Sequence, residues 1–490
     1  FLLSLLHADM ATISHEGVSH NLIVGKTIFD YADVLCIPLP TSCGRTGHCH
    51  ECIVEIKQGM EALGSRSESE LFLKDNYRLA CQASIKNPSF NVEFVPLRGI
   101  PKILSTTLYK EIDLDPMVIQ KDGMVFYDGE VIDKFRGNLY GLAIDLGTTT
   151  VVMDLVDLET GESVHMSSFE NPQRFGGSDV MHRISYDGEF KGELRRSIIN
   201  AVNQEIFELC KQYKFSRQEI YEIVVAGNST MRDIFFKVNV QCIGQRPYKS
   251  RIEDEFIEGI RQTTSLIQNG RLLGLRTNPK AKVYGMPLIA SHVGGDAAAD
   301  LVTMDMASEN GVVMLVDVGT NTEVVVGYKG RMMAASCPAG PAFEGGQITF
   351  GMPGYEGAIE SVRWANGRIE YETIGNVNPQ GICGSGLIDL LAVLRQQKQM
   401  TPKGVFSDKR YELTIVPDYG ITFSREDASN LAQAKAANYC GQFIVMRKFG
   451  IGPEDVDRLY LAGGFANYVN VSNAVEIGFL APVPEERIKK

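Results

Sequence analysis

The chain has no surplus of positive charge: 48 Lys and Arg stand against 60 Asp and Glu, a net charge of −12 over 490 residues. That deficit argues against a general nucleic-acid binder and against adhesion to anionic lipid. Long apolar runs are missing as well, so no segment is a membrane-spanning candidate. The opening Phe1-Leu2-Leu3-Ser4-Leu5-Leu6 is apolar, but no basic residue leads it and it soon meets His7 and Asp9. It does not read as a secretory leader. Met10 directly precedes the first patterned strand, so residues 1–9 read as upstream translation, or the chain as partial. Tryptophan is reduced to Trp364, which is uninformative. Ten cysteines are too few for a disulfide-stapled secreted scaffold of this length, which favours a reducing cytoplasm. A hydrophobic share of 44% excludes disorder, and the length calls for two to four domains.

What is present falls into distinct textures. Residues 10–97 form a small β-rich unit with α+β character. Ala11–Ser14 and Asn21–Val24 flank a Glu16-Gly17 turn, and Thr27–Leu35 suits a short helix. Ile53–Ile56 alternates as a strand, Ser67–Lys74 suits a helix, and Tyr77–Ile85 and Asn91–Val95 suit strands. Residues 98–137, with Pro101 and Pro116, read as a linker carrying a strand or two. From Leu139 apolar runs alternate with amphipathic helices such as Glu193–Lys214 and Arg425–Lys448, the mark of an α/β body. The pattern occurs twice, since Gly141–Thr150 recurs as Met314–Thr322. A duplicated α/β domain with a cleft between its halves, 138–310 and 311–490, is the economical reading.

Four of the cysteines are grouped. Cys43-x5-Cys49-x2-Cys52 lies on a loop with Gly44 and Gly47, and Cys81 follows after 28 residues. An iron–sulfur cluster needs four soft anionic ligands, and a loop lets backbone N–H groups point at sulfur. A [2Fe–2S] cluster is the expected occupant. Zinc is the rival, because His48 and His50 flank Cys49, but structural zinc sites favour two short paired spacings and only Cys49/Cys52 makes one.

The repeated motif carries a second chemistry. Asp145-Leu-Gly147-Thr148-Thr149-Thr150 and Asp317-Val-Gly319-Thr320-Asn-Thr322 each set an acid at a strand end ahead of a glycine turn rich in hydroxyls. Backbone N–H groups with Thr148, Thr149, Thr320 and Thr322 can cradle phosphate, while Asp145 and Asp317 hold Mg²⁺ through waters. Leu459–Phe465 runs an apolar strand into Gly463-Gly464, which allows close backbone approach to an adenosine. His292-Val-Gly-Gly-Asp296-Ala-Ala-Ala-Asp300 opens a helix on which Asp296 orients water or metal, or serves as a cap. Gly384-Ser385-Gly386 opens another helix, whose N-terminus faces a phosphate or ribose, or is a plain turn. Glu344 is either a catalytic acid or a turn residue, and Cys337 and Cys383 read as buried small hydrophobes.

In this order, the phosphate loops, connecting helix and adenosine motif are similar to the acetate-kinase, sugar-kinase, chaperone-ATPase and actin superfamily. Fused behind a ferredoxin domain, they resemble the reductive activators of corrinoid proteins. Asn171-Pro-Gln173 with Gly177-Ser-Asp-Val180, Ala226-Gly-Asn-Ser-Thr-Met231 and Gly340-Pro-Ala-Phe-Glu-Gly-Gly346 carry the likeness further, over residues 11–482. It departs at the C-terminus, since the chain ends 26 residues after Gly464, where family members continue with more helical chain.

The resemblance implies a β-grasp ferredoxin domain ahead of a duplicated actin-like ATPase fold. It implies one-electron, ATP- and Mg-dependent reduction of cobalt(II) to cobalt(I) in a corrinoid iron–sulfur or methyl-carrier protein. An upstream electron donor is then required, and a homodimer is among the assemblies expected. Two other readings stay open: an electron-carrying or nucleotide-sensing regulator without turnover, and a small-molecule kinase, which leaves the ferredoxin domain unexplained.

Overall fold

The computed structural model describes residues 11–97, 114–338, 342–464 and 466–490. Met10, residues 98–113 of the expected linker, Gly340-Pro341 and Phe465 lie outside them.

The N-terminal unit is a five-stranded sheet in the order β2-β1-β5-β3-β4, with one helix across it. Its strands are β1 (Thr12–His15), β2 (Val18–Asn21), β3 (Ile53–Gln58), β4 (Tyr77–Leu79) and β5 (Val92–Pro96), and the helix is α1 (Ile28–Val34). Glu16 and Gly17 both take positive φ and close the β1–β2 hairpin so tightly that β2 begins at Val18 rather than Asn21. Thr27 caps α1 through a capping box with Asp30. The helix expected over Ser67–Lys74 is only a 3₁₀ turn, Glu68–Glu70, because Glu70 turns inward to the buried Arg78. The strand expected over Tyr77–Ile85 stops at Leu79, where the N–H groups of Gln82 and Ala83 turn back to the Leu79 carbonyl and deliver Cys81.

Of the stretch read as a linker, the described part holds three strands, not one or two. β6 (Val118–Lys121), β7 (Met124–Tyr127) and β8 (Glu130–Lys134) form an antiparallel meander. Val118 and Val125 bury against Leu139 and Tyr221, so the meander is seated on the α/β body.

The first half contains β9 (Tyr140–Leu146), β10 (Thr150–Asp157), β11 (Ser163–Glu170), α2 (Val180–Glu189), α3 (Glu193–Tyr213), β12 (Ile220–Ala226), α4 (Ser229–Phe235), α5 (Arg251–Ile257), β13 (Leu266–Asn269), β14 (Lys282–Gly285) and α6 (Gly295–Met304). Its sheet runs β11-β10-β9-β12-β14-β13, with β9, β12 and β14 parallel.

The second half contains β15 (Val313–Val318), β16 (Thr322–Tyr328), β17 (Arg331–Cys337), β18 (Ala358–Ala365), β19 (Arg368–Thr373), β20 (Gly381–Ile382), α7 (Gly384–Gln396), β21 (Glu412–Val416), β22 (Ile421–Ser424), α8 (Arg425–Phe449), β23 (Arg458–Ala462), α9 (Val471–Glu476) and β24 (Ile488–Lys489). Its main sheet runs β17-β16-β15-β23-β24, again an antiparallel meander joined to a parallel strand. The sequence repeat is therefore a structural one, β9–β10–β11–β12 answering β15–β16–β17–β23.

The halves differ in what they are joined to. Buried side chains of the N-terminal unit and the first half form one contiguous apolar cluster, from Ile13 through Phe72 and Phe175 to Leu288. The second half has a separate core around Met314, Leu387 and Phe479.

Candidate functional site: a cysteine loop and an acidic interdomain cleft

The loop between α1 and β3 is wound by positive φ at Gly44, Arg45, Gly47 and His50. A Cβ on Gly47 would lie 2.7 Å from Ser69 Oγ, so the chain passes there without a side chain. This winding aims N–H groups at sulfur: those of Thr46 and Cys49 at Cys43, those of Ser42 and Glu51 at Cys49, and that of Gly47 at Cys81. Burial opposes ionisation of Cys43, but hydrogen bonds from Thr46 and Cys49 outweigh it and hold the thiol down at about 5. Cys81 is held at about 6, chiefly by its hydrogen bond with Cys52.

The four thiols are thus arranged as two pairs, Cys43 with Cys49 and Cys52 with Cys81. Among the described residues no three metal-binding side chains converge as they would around a single ion. Two pairs flanked by N–H donors fit a two-iron cluster held by four thiolates. The imidazoles that made zinc a rival are engaged elsewhere. His48 Nδ1 lies 3.0 Å from Thr46 Oγ1. His50 stacks on Phe72 at 4.1 Å and its Nδ1 lies 2.8 Å from Glu193 Oε2 on α3. With the Tyr186 hydroxyl donating to the Phe72 carbonyl and Lys74 paired with Glu189, this contact docks the cysteine unit on the first half.

The second site is a cavity of about 570 Å³ between the halves. Asp145, Gly147, Thr148, Thr149, Asp296, Asp317, Gly319, Thr320, Gly384, Ser385, Gly463 and Gly464 all line it. Thr322 and Gly386 do not. Thr322 is wholly buried in β16, and a Cβ on Gly386 would meet the Ile359 carbonyl at 2.2 Å, so that glycine serves packing of α7 on β18. Ser385 lines the cleft, but its hydroxyl donates to the Glu360 carbonyl at 2.8 Å.

The first loop is held from behind. Asn171 Nδ2 donates to the Gly147 carbonyl (2.7 Å), Arg183 Nη2 to the Thr148 carbonyl (2.7 Å) and Asn228 Nδ2 to Thr148 Oγ1 (3.0 Å). Gly463 takes φ +109, and a Cβ there would lie 2.0 Å from the Val318 carbonyl. Gly227 answers it in the first half, with φ +156 and the Leu146 carbonyl 2.7 Å from the site of a Cβ. β12 and β23 thus each run into Ala-Gly pressed onto the end of the neighbouring strand, where the threonine loop begins.

The cleft is strongly acidic. Asp145 is reached by water through the opening yet sits deep between the halves; burial and the charge of Asp296 push it up to about 7. Burial and the charges of Asp296 and Asp145 push Asp317 to about 7 as well. Asp296 points its carboxylate among these groups and not only at its own helix N-terminus, where Oδ1 accepts from the Ala297 N–H at 2.8 Å.

Two further acids, Asp300 and Glu323, join the cluster and are pushed well up by burial and by the neighbouring carboxylates. Sequence spacing holds signals for both. Asp300 lies one turn beyond Asp296 on α6, and Glu323 is the register partner of Asp317, where the first half has Val152 opposite Asp145. Glu344 also belongs here: its Oε2 accepts from Thr149 Oγ1 at 3.1 Å and Thr320 Oγ1 at 2.8 Å.

Comparison with known proteins follows this geometry. Residues 12–86, which hold all four grouped cysteines, match the 2Fe-2S iron-sulfur cluster binding domain. Residues 140–309 match the RACo middle region, and residues 311–490 match the C-terminal domain of RACo, the ASKHA domain. The chain belongs to the RACo family. It is 29% identical, over 93% of its length and 86% of the relative's, to the corrinoid activation enzyme RamQ of Eubacterium limosum. It is 23% identical, over 69% and 65%, to the [Co(II) methylated amine-specific corrinoid protein] reductase of Methanosarcina barkeri. A solved reductive activator for corrinoid, iron-sulfur protein superposes with a TM-score of 0.67 at 26% identity, covering 98% of this chain and 90% of that one. The RACo assignment carries with it an iron–sulfur domain and a nucleotide-binding ASKHA body. No helix among the described residues is long and apolar enough to cross a membrane.

Proposed function

We propose that this chain reductively activates a corrinoid methyl-carrier protein, returning its cobalt(II) to cobalt(I) at the expense of Mg-ATP. The observation that carries the reading is the joining, within one chain, of a four-cysteine site to an acidic two-loop cleft, the cysteine unit sharing an apolar core with the half that carries the first loop. Cys43, Cys49, Cys52 and Cys81 hold a [2Fe–2S] cluster, which supplies one electron when bound.

In the cleft, Asp145 and Asp317 position Mg²⁺ through waters and Asp296 orients them. Thr148, Thr149 and Thr320 offer hydroxyls to phosphate, and Gly463 and Gly464 leave room for the adenosine. Nucleotide is needed because the reduction is uphill. At 59 mV per tenfold for one electron, a gap of ~300 mV costs roughly 7 kcal/mol. Closure of the two halves on nucleotide offsets that cost by binding one state of the corrinoid partner in preference to the other. An upstream donor and a reducing cytoplasm complete the setting.

The test is anaerobic: reduced protein is mixed with a cobalt(II) corrinoid carrier, and cobalt(I) absorbance is followed with and without Mg-ATP. Reduction is expected only with Mg-ATP, and neither Cys49→Ser nor Asp317→Asn should support it. Asp317→Asn should keep the visible spectrum of the cluster. Equal rates without nucleotide would leave a simple electron carrier, and loss of the cluster in Asp317→Asn would make that residue structural.

A further inference from the structure

Among the described residues, Glu344 is the cleft carboxylate that touches both phosphate loops. Thr149 belongs to the first half and Thr320 to the second, and their hydroxyls lie 3.3 Å apart. Both donate to the same atom, Glu344 Oε2. A threonine hydroxyl has a single proton to give. While Glu344 accepts from them, neither hydroxyl can donate to a phosphate. A carboxylate oxygen and a phosphoryl oxygen are equivalent acceptors for such donors, both anionic and both able to receive more than one bond.

We propose that Glu344 occupies the terminal-phosphate position of the nucleotide-free protein, clasping the two loops together until the γ-phosphate of ATP takes its place. The inference rests on the nucleotide reading of the cleft. ATP must displace the carboxylate to reach both hydroxyls, whereas ADP, one phosphoryl group shorter, leaves the clasp in place. Glu344 is therefore a positioning residue that makes the protein answer to ATP rather than to adenine nucleotide in general. Its neighbours fit the role. Phe343 lines the same cleft beside it, and Gly345, at φ +88 against the Met352 backbone, ends the segment in a turn that a side chain would disturb.

The experiment is calorimetric titration of the cluster-loaded protein with Mg-ATP and Mg-ADP. Glu344→Ala removes the competing acceptor and one negative charge, so Mg-ATP is expected to bind about 10-fold tighter, or ~1.4 kcal/mol. Mg-ADP affinity should stay within about twofold of wild type by the same measure. Glu344→Gln keeps an acceptor without the charge and should fall between the two, and it carries the test if the alanine variant does not fold. Unchanged or weaker Mg-ATP binding in these variants would overturn the clasp, as would equal tightening of ATP and ADP. If wild type and both variants fail to bind either nucleotide, the nucleotide reading falls and the clasp with it.

Discussion

Arg78 and Glu70 form a buried ion pair, and removing the arginine should cost the cysteine domain much of its stability. Arg78 is 2% exposed and Glu70 is fully enclosed. The guanidinium meets the carboxylate with two contacts, Nε to Oε1 at 2.8 Å and Nη2 to Oε2 at 3.1 Å, while Nη1 donates to the Gly64 carbonyl at 3.0 Å. Glu70 also accepts from the N–H groups of Leu79 and Ser67. The pair thus ties the Glu68–Glu70 turn to β4 two residues before Cys81. Arg78→Ala leaves the carboxylate buried without its counter-charge, a loss of about 3–5 kcal/mol against a typical domain stability of about 5–15.

Chemical denaturation of the apo protein, followed by circular dichroism, should show that loss, and cluster absorbance in the loaded protein should decay faster. Arg78→Met with Glu70→Leu removes both charges and should recover most of the stability, because a buried pair is expensive to break and cheap to replace. Burial works against Glu70, but the hydrogen bonds from Arg78 and Ser67 overcome it and depress its pKa below 4.5. Its contribution is therefore complete above pH 4.5 and fades as pH falls through the depressed value, so wild type and Arg78→Ala should converge in acid. A loss below about 1 kcal/mol at neutral pH, or no recovery in the double variant, would refute the reasoning.

Two other outcomes follow from the cleft. Burial and neighbouring carboxylates raise Asp145 and Asp317 to about 7 in the metal-free cleft, so the pair shares protons at neutral pH, and a cation held there through waters would favour the ionised forms. Mg-ATP binding at pH 7 should release on the order of one proton in total. It should weaken as pH falls through about 7; calorimetry in buffers of different ionisation enthalpy reads the release, and heats independent of buffer would refute it. Tyr355 donates to Glu170 Oε1 across the cleft at 2.5 Å. A bond to a charged acceptor is about 1.5–3 kcal/mol, so Tyr355→Phe should speed amide exchange in both threonine loops by about 10- to 100-fold, and unchanged exchange would refute a bracing role.

The repeat was the most legible feature of the chain, because two aspartate–glycine–threonine hairpins at matching places admit few folds. It ran further than the motifs alone: Ala226-Gly227 answers Ala462-Gly463, a match that shows only once both strands are seen to press on the adjoining loop. The grouping of Cys43, Cys49, Cys52 and Cys81 was legible from spacing, and the fold brings the four thiols together. Glu323 and Asp300 were not singled out, because their partnership with Asp317 and Asp296 depends on strand register and helix phase. Thr322 went the other way: it continues a hydroxyl-rich motif, yet the start of β16 buries its side chain. The helix expected over Ser67–Lys74 failed because its periodicity is real but Glu70 is diverted to a partner eight residues on.

The division of the core decides what can move. The cysteine domain and the first half share one apolar cluster, so separating them exposes buried surface, whereas the second half keeps its own core and can pivot intact. Across the cleft the halves meet through hydrogen bonds, Glu344 with Thr149 and Tyr355 with Glu170, which exchange at little cost when a ligand supplies equivalent partners. Glu170 is also held by Arg174 Nη1 at 2.6 Å, and Arg174 Nη2 donates to the Pro96 carbonyl at the end of β5. One arginine therefore bridges the residue that Tyr355 grips and the last strand of the cysteine domain. A change at the cleft that releases Tyr355 takes a hydrogen-bond donor from Glu170 and leaves that carboxylate to Arg174. The cysteine domain is thus packed with the half that carries the first threonine loop, and a ligand that reshaped the cleft would act on it by moving the other half.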